Sequence, residues 1–129
     1  MNYFGHGLVS LWRGGFFSAD DVSILRNGSR LPVVLSMTCL NGLFQDPREE
    51  CLAEALLRAP NGGAAAVWSS SGLTEPTNQL QMAMTMTRQL LTEGQTLGEA
   101  ARAAKAATTD PDIRHTWCLL GDPAMRIGD

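Results

Sequence analysis

No apolar run among the 129 residues approaches the roughly 20 residues of a membrane span, and the N-terminus lacks the basic-then-apolar order of a secretory leader. Such a chain is expected either to be cytoplasmic or to have a leader outside this sequence. Cysteine is scarce. Cys39, Cys51 and Cys118 are an odd number without CxxC spacing, which argues against a disulfide framework and against a thiolate zinc site, and leaves at least one thiol free. Histidine is scarcer still, with only His6 and His115, so His/Cys chemistry has few possible pairings. Lysine and arginine form no cluster and the net charge is −3, which leaves no electrostatic footprint for nucleic acid or an anionic membrane. Neither GxxxxGK[ST] nor GxGxxG occurs, so phosphate binding has no support.

What is present reads as a single globular unit, or part of one, with 44% hydrophobic and 18% charged residues and a modest core. Without repeats or low-complexity segments, apolar runs alternate with turn-rich or amphipathic stretches, the pattern of an α/β fold with a largely parallel sheet between helices. Asn2 to Phe4 look like a short strand ending at Gly5-His6-Gly7, and Ser18 caps a short helix from Ala19 to Leu25. Leu31 to Met37 (LPVVLSM) and Ala64 to Trp68 (AAAVW) are buried strands. Asp46-Pro47-Arg48-Glu49 reads as a helix start, with Leu52, Ala55, Leu56 and Ala59 as the apolar face behind it. A long helix is expected from about Pro76 to Glu93, a third from the capping box Thr96 to Glu99 through Ala107, and a last strand from Trp117 to Leu120.

His6 and Cys39 each follow a strand, where an open α/β sheet holds its ligands. A thiol needs a base or imidazolium nearby to raise its thiolate fraction, and adjacent strand ends can bring residues 33 apart (39 − 6) together. The glycines around His6 leave room for backbone amides to approach a carbonyl, so the amides of Gly7 and Cys39 are the candidate oxyanion donors.

FGHG at 4 to 7, followed by an apolar strand into SMTCLNG at 36 to 42, resembles the His-Gly and strand-Cys signature of the gingipain family of caspase-fold cysteine peptidases. The resemblance continues through GGAAAVWSSSG at 62 to 72, TLGEAARAAK at 96 to 105 and LLGDPAMRI at 119 to 127. It implies a caspase-like three-layer sandwich and a cysteine endopeptidase that needs no cofactor. Cys39 would attack the scissile carbonyl, His6 would assist protonation of the leaving amine, and the Gly7 and Cys39 amides would hold the oxyanion. The loop Trp68 to Thr74, with Trp68, Ser69, Ser70 and Ser71 as its named residues, would line the pocket for the side chain before the cut. Glu75 is the only acid near that loop and is not assigned the role of selecting a basic side chain.

Because the family's sheet has strands ahead of its His-Gly motif, residues 1 to 129 are expected to be the C-terminal part of a catalytic domain, with an exposed strand edge and little activity alone. Expected partners are a peptide or protein substrate and the missing part of the domain or another chain. Relatives are largely secreted, and this chain's own compartment is unknown.

Blander readings accompany these. A cysteine at a strand end is often an inert small hydrophobe. Cys51 and Cys118 are expected to be packing residues and His115 a surface residue in a loop. Met82, Met84 and Met86 cannot share one helix face and should divide between core and edge. A non-catalytic caspase-like interaction module is the alternative function, and a doubly wound small-molecule binder a weaker third.

Overall fold

The computed structural model describes residues 1–128. Strands β1 (Asn2–Phe4), β2 (Val33–Met37), β3 (Ala66–Ser70) and β4 (Trp117–Gly121) form one sheet in the order β1-β2-β3-β4. The first three run parallel, and β4 is antiparallel to β3. Helices α1 (Ala19–Val22) and α2 (Leu52–Arg58) precede β2 and β3, whereas α3 (Pro76–Leu91), α4 (Leu97–Ala106) and α5 (Pro111–Thr116) lie between β3 and β4.

Two clusters of buried side chains make the architecture three-layered. Alternate residues of a strand point to opposite faces. Leu35, Met37, Ala66 and Trp68 therefore pack against Met82, Met86, Leu90, Leu97 and Ala104 on one face, and Val34 and Val67 against Leu52, Leu56 and Val22 on the other. The seven residues of α2 are too few to be helical by propensity alone. Burial of Leu52, Ala53, Ala55 and Leu56 holds them in place.

The sequence expectations meet this structure well at the strands. β1 has the expected bounds, and β2 and β4 fall within or beside theirs. Ser18 caps α1 through a reciprocal pair with Asp21, although the helix ends at Val22. Met82 and Met86 are buried and Met84 is 60% exposed, the division that helical spacing requires.

Three expectations are corrected. The helix foreseen at Asp46 begins at Leu52 instead, with the Glu54 carboxylate accepting from the Cys51 amide. Asp46 accepts from the Arg48 amide in a local turn, and Pro47 to Glu50 are exposed, with no apolar face to bury in a helix. His115 is exposed as expected but lies on α5, whose first amides at Asp112 and Ile113 are capped by Asp110. Finally, β3 does not end at Trp68: Ser69 and Ser70 belong to the strand, paired with Cys118 and Trp117.

Candidate active site

Phe4 stands opposite Met37 where β1 and β2 leave the sheet, and the Gly5 amide still donates to the Met37 carbonyl at 3.3 Å. Two residues beyond Phe4 is His6, and two beyond Met37 is Cys39. Neighbouring strands lie about 4.8 Å apart. Both residues therefore lie on the loops that leave the carboxyl ends of neighbouring strands.

Close packing keeps the two loops together past the strands. A Cβ on Gly7 would lie 2.7 Å from Thr38 Oγ1 and 3.2 Å from Asn41 Nδ2, so only glycine permits this approach. Asn41, wholly buried, donates to the carbonyls of Leu8 (2.6 Å) and Leu11 (3.4 Å) and accepts from Ser36 Oγ (2.8 Å). Ser36 in turn accepts from Trp12 Nε1 at 3.1 Å. The opening amides of α2 join in, Leu52 donating to Val9 O at 2.9 Å and Ala53 to Asn41 O at 3.0 Å. These amides have no partner within the helix, and here one serves each loop.

The chain after Cys39 turns sharply. Leu40 has φ 62°, a left-handed conformation that costs a branched residue about 1 kcal/mol or more. The Asn41 amide donates to Cys39 O at 2.8 Å across this turn, and the amides of Leu40 and Gly42 donate to Gly72 O (3.2 Å) and Ser70 O (2.9 Å). The bend that presents Cys39 is thus pinned to the end of β3.

Cys39 is half-buried and its sulfur meets Thr74: the Thr74 amide lies 3.4 Å away, the Thr74 carbonyl 3.6 Å and its hydroxyl 3.7 Å. His6 is exposed, and its carbonyl accepts from Tyr3 Oη and the Arg13 amide, both at 2.9 Å. Among the described residues its ring makes no hydrogen bond, to the Cys39 thiol or to any other group. The amides of Gly7 and Cys39 also make no hydrogen bond to another described residue.

The expected pocket wall requires correction. Trp68 is 1% exposed and packs on Trp117 with ring centroids 5.6 Å apart, in the core rather than on a pocket. Ser69 and Ser70 are likewise closed to solvent, because β3 runs on through them between β2 and β4. Ser71 alone is half-buried, and its hydroxyl donates to the Thr116 carbonyl at 2.9 Å. Glu75 is exposed at the N-cap of α3.

The other cysteines fit packing roles. Cys51 is wholly buried, and loss of solvation pushes its thiol from 9.0 up to about 12, far from a nucleophile's range. Cys118 lies on β4 with its thiol donating to Thr116 O at 3.5 Å. Sequence reasoning missed Asn41, and it placed Thr74 in the pocket wall rather than against the Cys39 sulfur. The Asn-Gly pair after Cys39 signals a turn, but nothing in it foretells a buried asparagine bridging two loops.

A parallel-dominated sheet between two helical layers, with a thiol and an imidazole at adjoining strand ends, defines the caspase-like α/β class. Residues 1–128 match the model of peptidase family C25, and the chain belongs to that family. It is 30% identical to gingipain R2 and to gingipain R1 of Porphyromonas gingivalis over 149 aligned positions, covering 98% of this chain but 19% and 14% of those proteins. A crystal structure of the Arg-specific cysteine proteinase gingipain R superposes with TM-score 0.87 at 27% identity, covering 97% of this chain and 32% of that one. A complex of the P. gingivalis RgpB pro- and mature domains superposes with TM-score 0.88 at 26% identity, over 95% of this chain and 32% of that one. The chain therefore spans about a third of the solved structures it matches and under a fifth of the curated relatives.

Proposed function

We propose that this chain carries the nucleophile and the proton-transfer residue of a cysteine endopeptidase. The observation that supports the reading most directly is that His6 and Cys39 each follow, by two residues, the paired ends Phe4 and Met37 of neighbouring parallel strands. In the proposed reaction His6 takes the thiol proton, and the Cys39 sulfur attacks the scissile carbonyl carbon while the carbonyl π pair moves onto oxygen. The amides of Gly7 and Cys39, free of other partners among the described residues, suit that oxyanion. Collapse breaks the C–N bond, His6 returns its proton to the departing amine, and a thioester remains. Water then attacks the thioester, giving its proton to His6, and the acid leaves as the thiol re-forms.

The β1 edge bears on the partner. β1 pairs on one side only, and apolar clefts flank it, one lined by Val33, Leu35, Leu90 and Leu91, the other by Trp12, Phe17, Leu25 and Val34. Further polypeptide of the same domain suits this edge, in keeping with a match to 32% of the solved chain, and peptide turnover by residues 1–129 alone should be weak or nil.

The test is selective alkylation of the purified chain by iodoacetamide, with the modified cysteines located by mass spectrometry. Cys39 should react faster than Cys118, itself part-exposed, and the preference should shrink severalfold in His6→Ala. Equal rates at the two thiols, unchanged by His6→Ala, would favour a non-catalytic interaction module.

A further inference from the structure

With no bond between the His6 ring and the sulfur, the groups that meet Cys39 directly are those of Thr74. Thr74 lies in the loop between β3 and α3, which is fastened on both sides. Gly72 O accepts from the Leu40 amide, and Ser71 donates its amide to Thr116 O at 2.8 Å. The Thr74 contact is thus part of a braced loop.

The chemistry of the contact depends on where the Thr74 hydroxyl proton points. Gln79 Nε2, a group that can only donate, donates to Thr74 Oγ1 in a short bond. Gln79 sits on the first turns of α3 and is 5% exposed, so its amide has little water to turn to. A hydroxyl whose oxygen already accepts has its own proton left to give, and Cys39 Sγ at 3.7 Å is within reach of it. The sulfur, when ionised, is an acceptor alone and would take both the Thr74 amide proton and this hydroxyl proton. When protonated, it donates to the Thr74 carbonyl instead.

We propose that Thr74 is a catalytic residue whose amide and hydroxyl hold the Cys39 sulfur as thiolate, and that Gln79 is the positioning residue that turns the hydroxyl proton toward it. The role deepens the peptidase reading by naming what solvates the nucleophile while the imidazole stands unbonded. Hydrogen bonds to a charged group are roughly twice as strong as neutral ones, and a thiolate would accept two from Thr74 where the thiol gives one to its carbonyl. The other titratable groups close in the fold are His6 at the neighbouring strand end and the exposed Glu75 adjoining Thr74.

The experiment is the pH profile of Cys39 alkylation in the full chain, which needs no peptide turnover. Thr74→Val keeps the shape and the amide but removes the hydroxyl, and should move the Cys39 midpoint up by about one pH unit, roughly tenfold slower alkylation at pH 7. Thr74→Ser should restore the wild-type profile, and Gln79→Met should give an intermediate shift. Cys118 rates should not move in any variant. A Thr74→Val profile superimposable on wild type would overturn the proposal. In the wild-type chain, the Thr74 amide proton should shift by NMR with the Cys39 midpoint, and a resonance that ignores the titration would overturn it too, whatever the variants do. If His6→Ala leaves Cys39 reactivity unchanged while Thr74→Val still shifts it, the peptidase reading fails and the thiolate cradle stands.

Discussion

Asn41 Nδ2 donates to the Leu8 carbonyl at 2.6 Å, joining the turn that carries Cys39 to the loop that carries His6. Its oxygen is occupied from below by Ser36 Oγ, itself held by the indole of Trp12. One buried amide thus fixes the spacing of two loops that share no other side-chain bridge of this kind among the described residues.

Asn41→Ala strands the Leu8 carbonyl and the Ser36 hydroxyl, and should lower unfolding stability in urea by at least about 2 kcal/mol. Asn41→Asp should be no better, since a carboxylate cannot donate to a carbonyl. A loss below 0.5 kcal/mol in both variants would show that water replaces the amide readily and that packing alone ties the loops.

Gly7→Ala places a methyl 2.7 Å from Thr38 Oγ1, too close without movement of one loop. We expect a destabilisation of about 1–3 kcal/mol and loss of preferential Cys39 alkylation. Thr38→Ala removes the two nearest atoms the new methyl meets and leaves Asn41 Nδ2 at 3.2 Å, so the double variant should recover much of the loss. Simple additivity of the two changes in a double-mutant cycle would count against the contact.

The buried thiol of Cys51 makes a prediction in alkaline solution. Its ordinary value of 9.0 rises to about 12 in the fold because burial disfavours the thiolate. Below pH 9 both folded and unfolded chains keep the proton. Between 9 and 12 the unfolded chain loses it first, so this contribution to stability declines as pH rises, by up to about 1.4 kcal/mol per pH unit. Unfolding free energies from pH 8 to 11 should fall less steeply for Cys51→Ala than for wild type. Parallel curves would mean that the thiol titrates alike in both states.

Arg58 and Glu50 form an ion pair at 2.8 Å, with side chains 77% and 43% exposed. Exposed pairs contribute little, so Glu50→Gln should change stability by less than about 0.5 kcal/mol and show no dependence on salt. A larger loss in a chemical melt would mark this pair as an anchor for α2.

The strands and the long helices were legible because each rests on local pattern: short β-branched runs, capping residues, helical spacing. Two Asp-Pro pairs show where local pattern stops. Asp110-Pro111 opens α5, where Ile113 is buried behind it, whereas Asp46-Pro47 opens nothing, because Arg48, Glu49 and Glu50 offer no face to the core. The same chemistry at the cap gave opposite outcomes, and burial decided between them. Trp68 was misread for a related reason. A tryptophan near a strand end can face a ligand or a neighbouring layer, and only the arrival of Trp117 from the far end of the chain determines which. The Asn41 bridge and the contact of Thr74 with Cys39 escaped because they exist only between loops 30 or more residues apart.

The first turn of α2 gives its free amides to both loops, Leu52 to Val9 and Ala53 to Asn41. Neither loop can therefore drift from the other while that turn is wound. On warming, fraying of a single helical turn would loosen both loops together, ahead of melting of the sheet beneath.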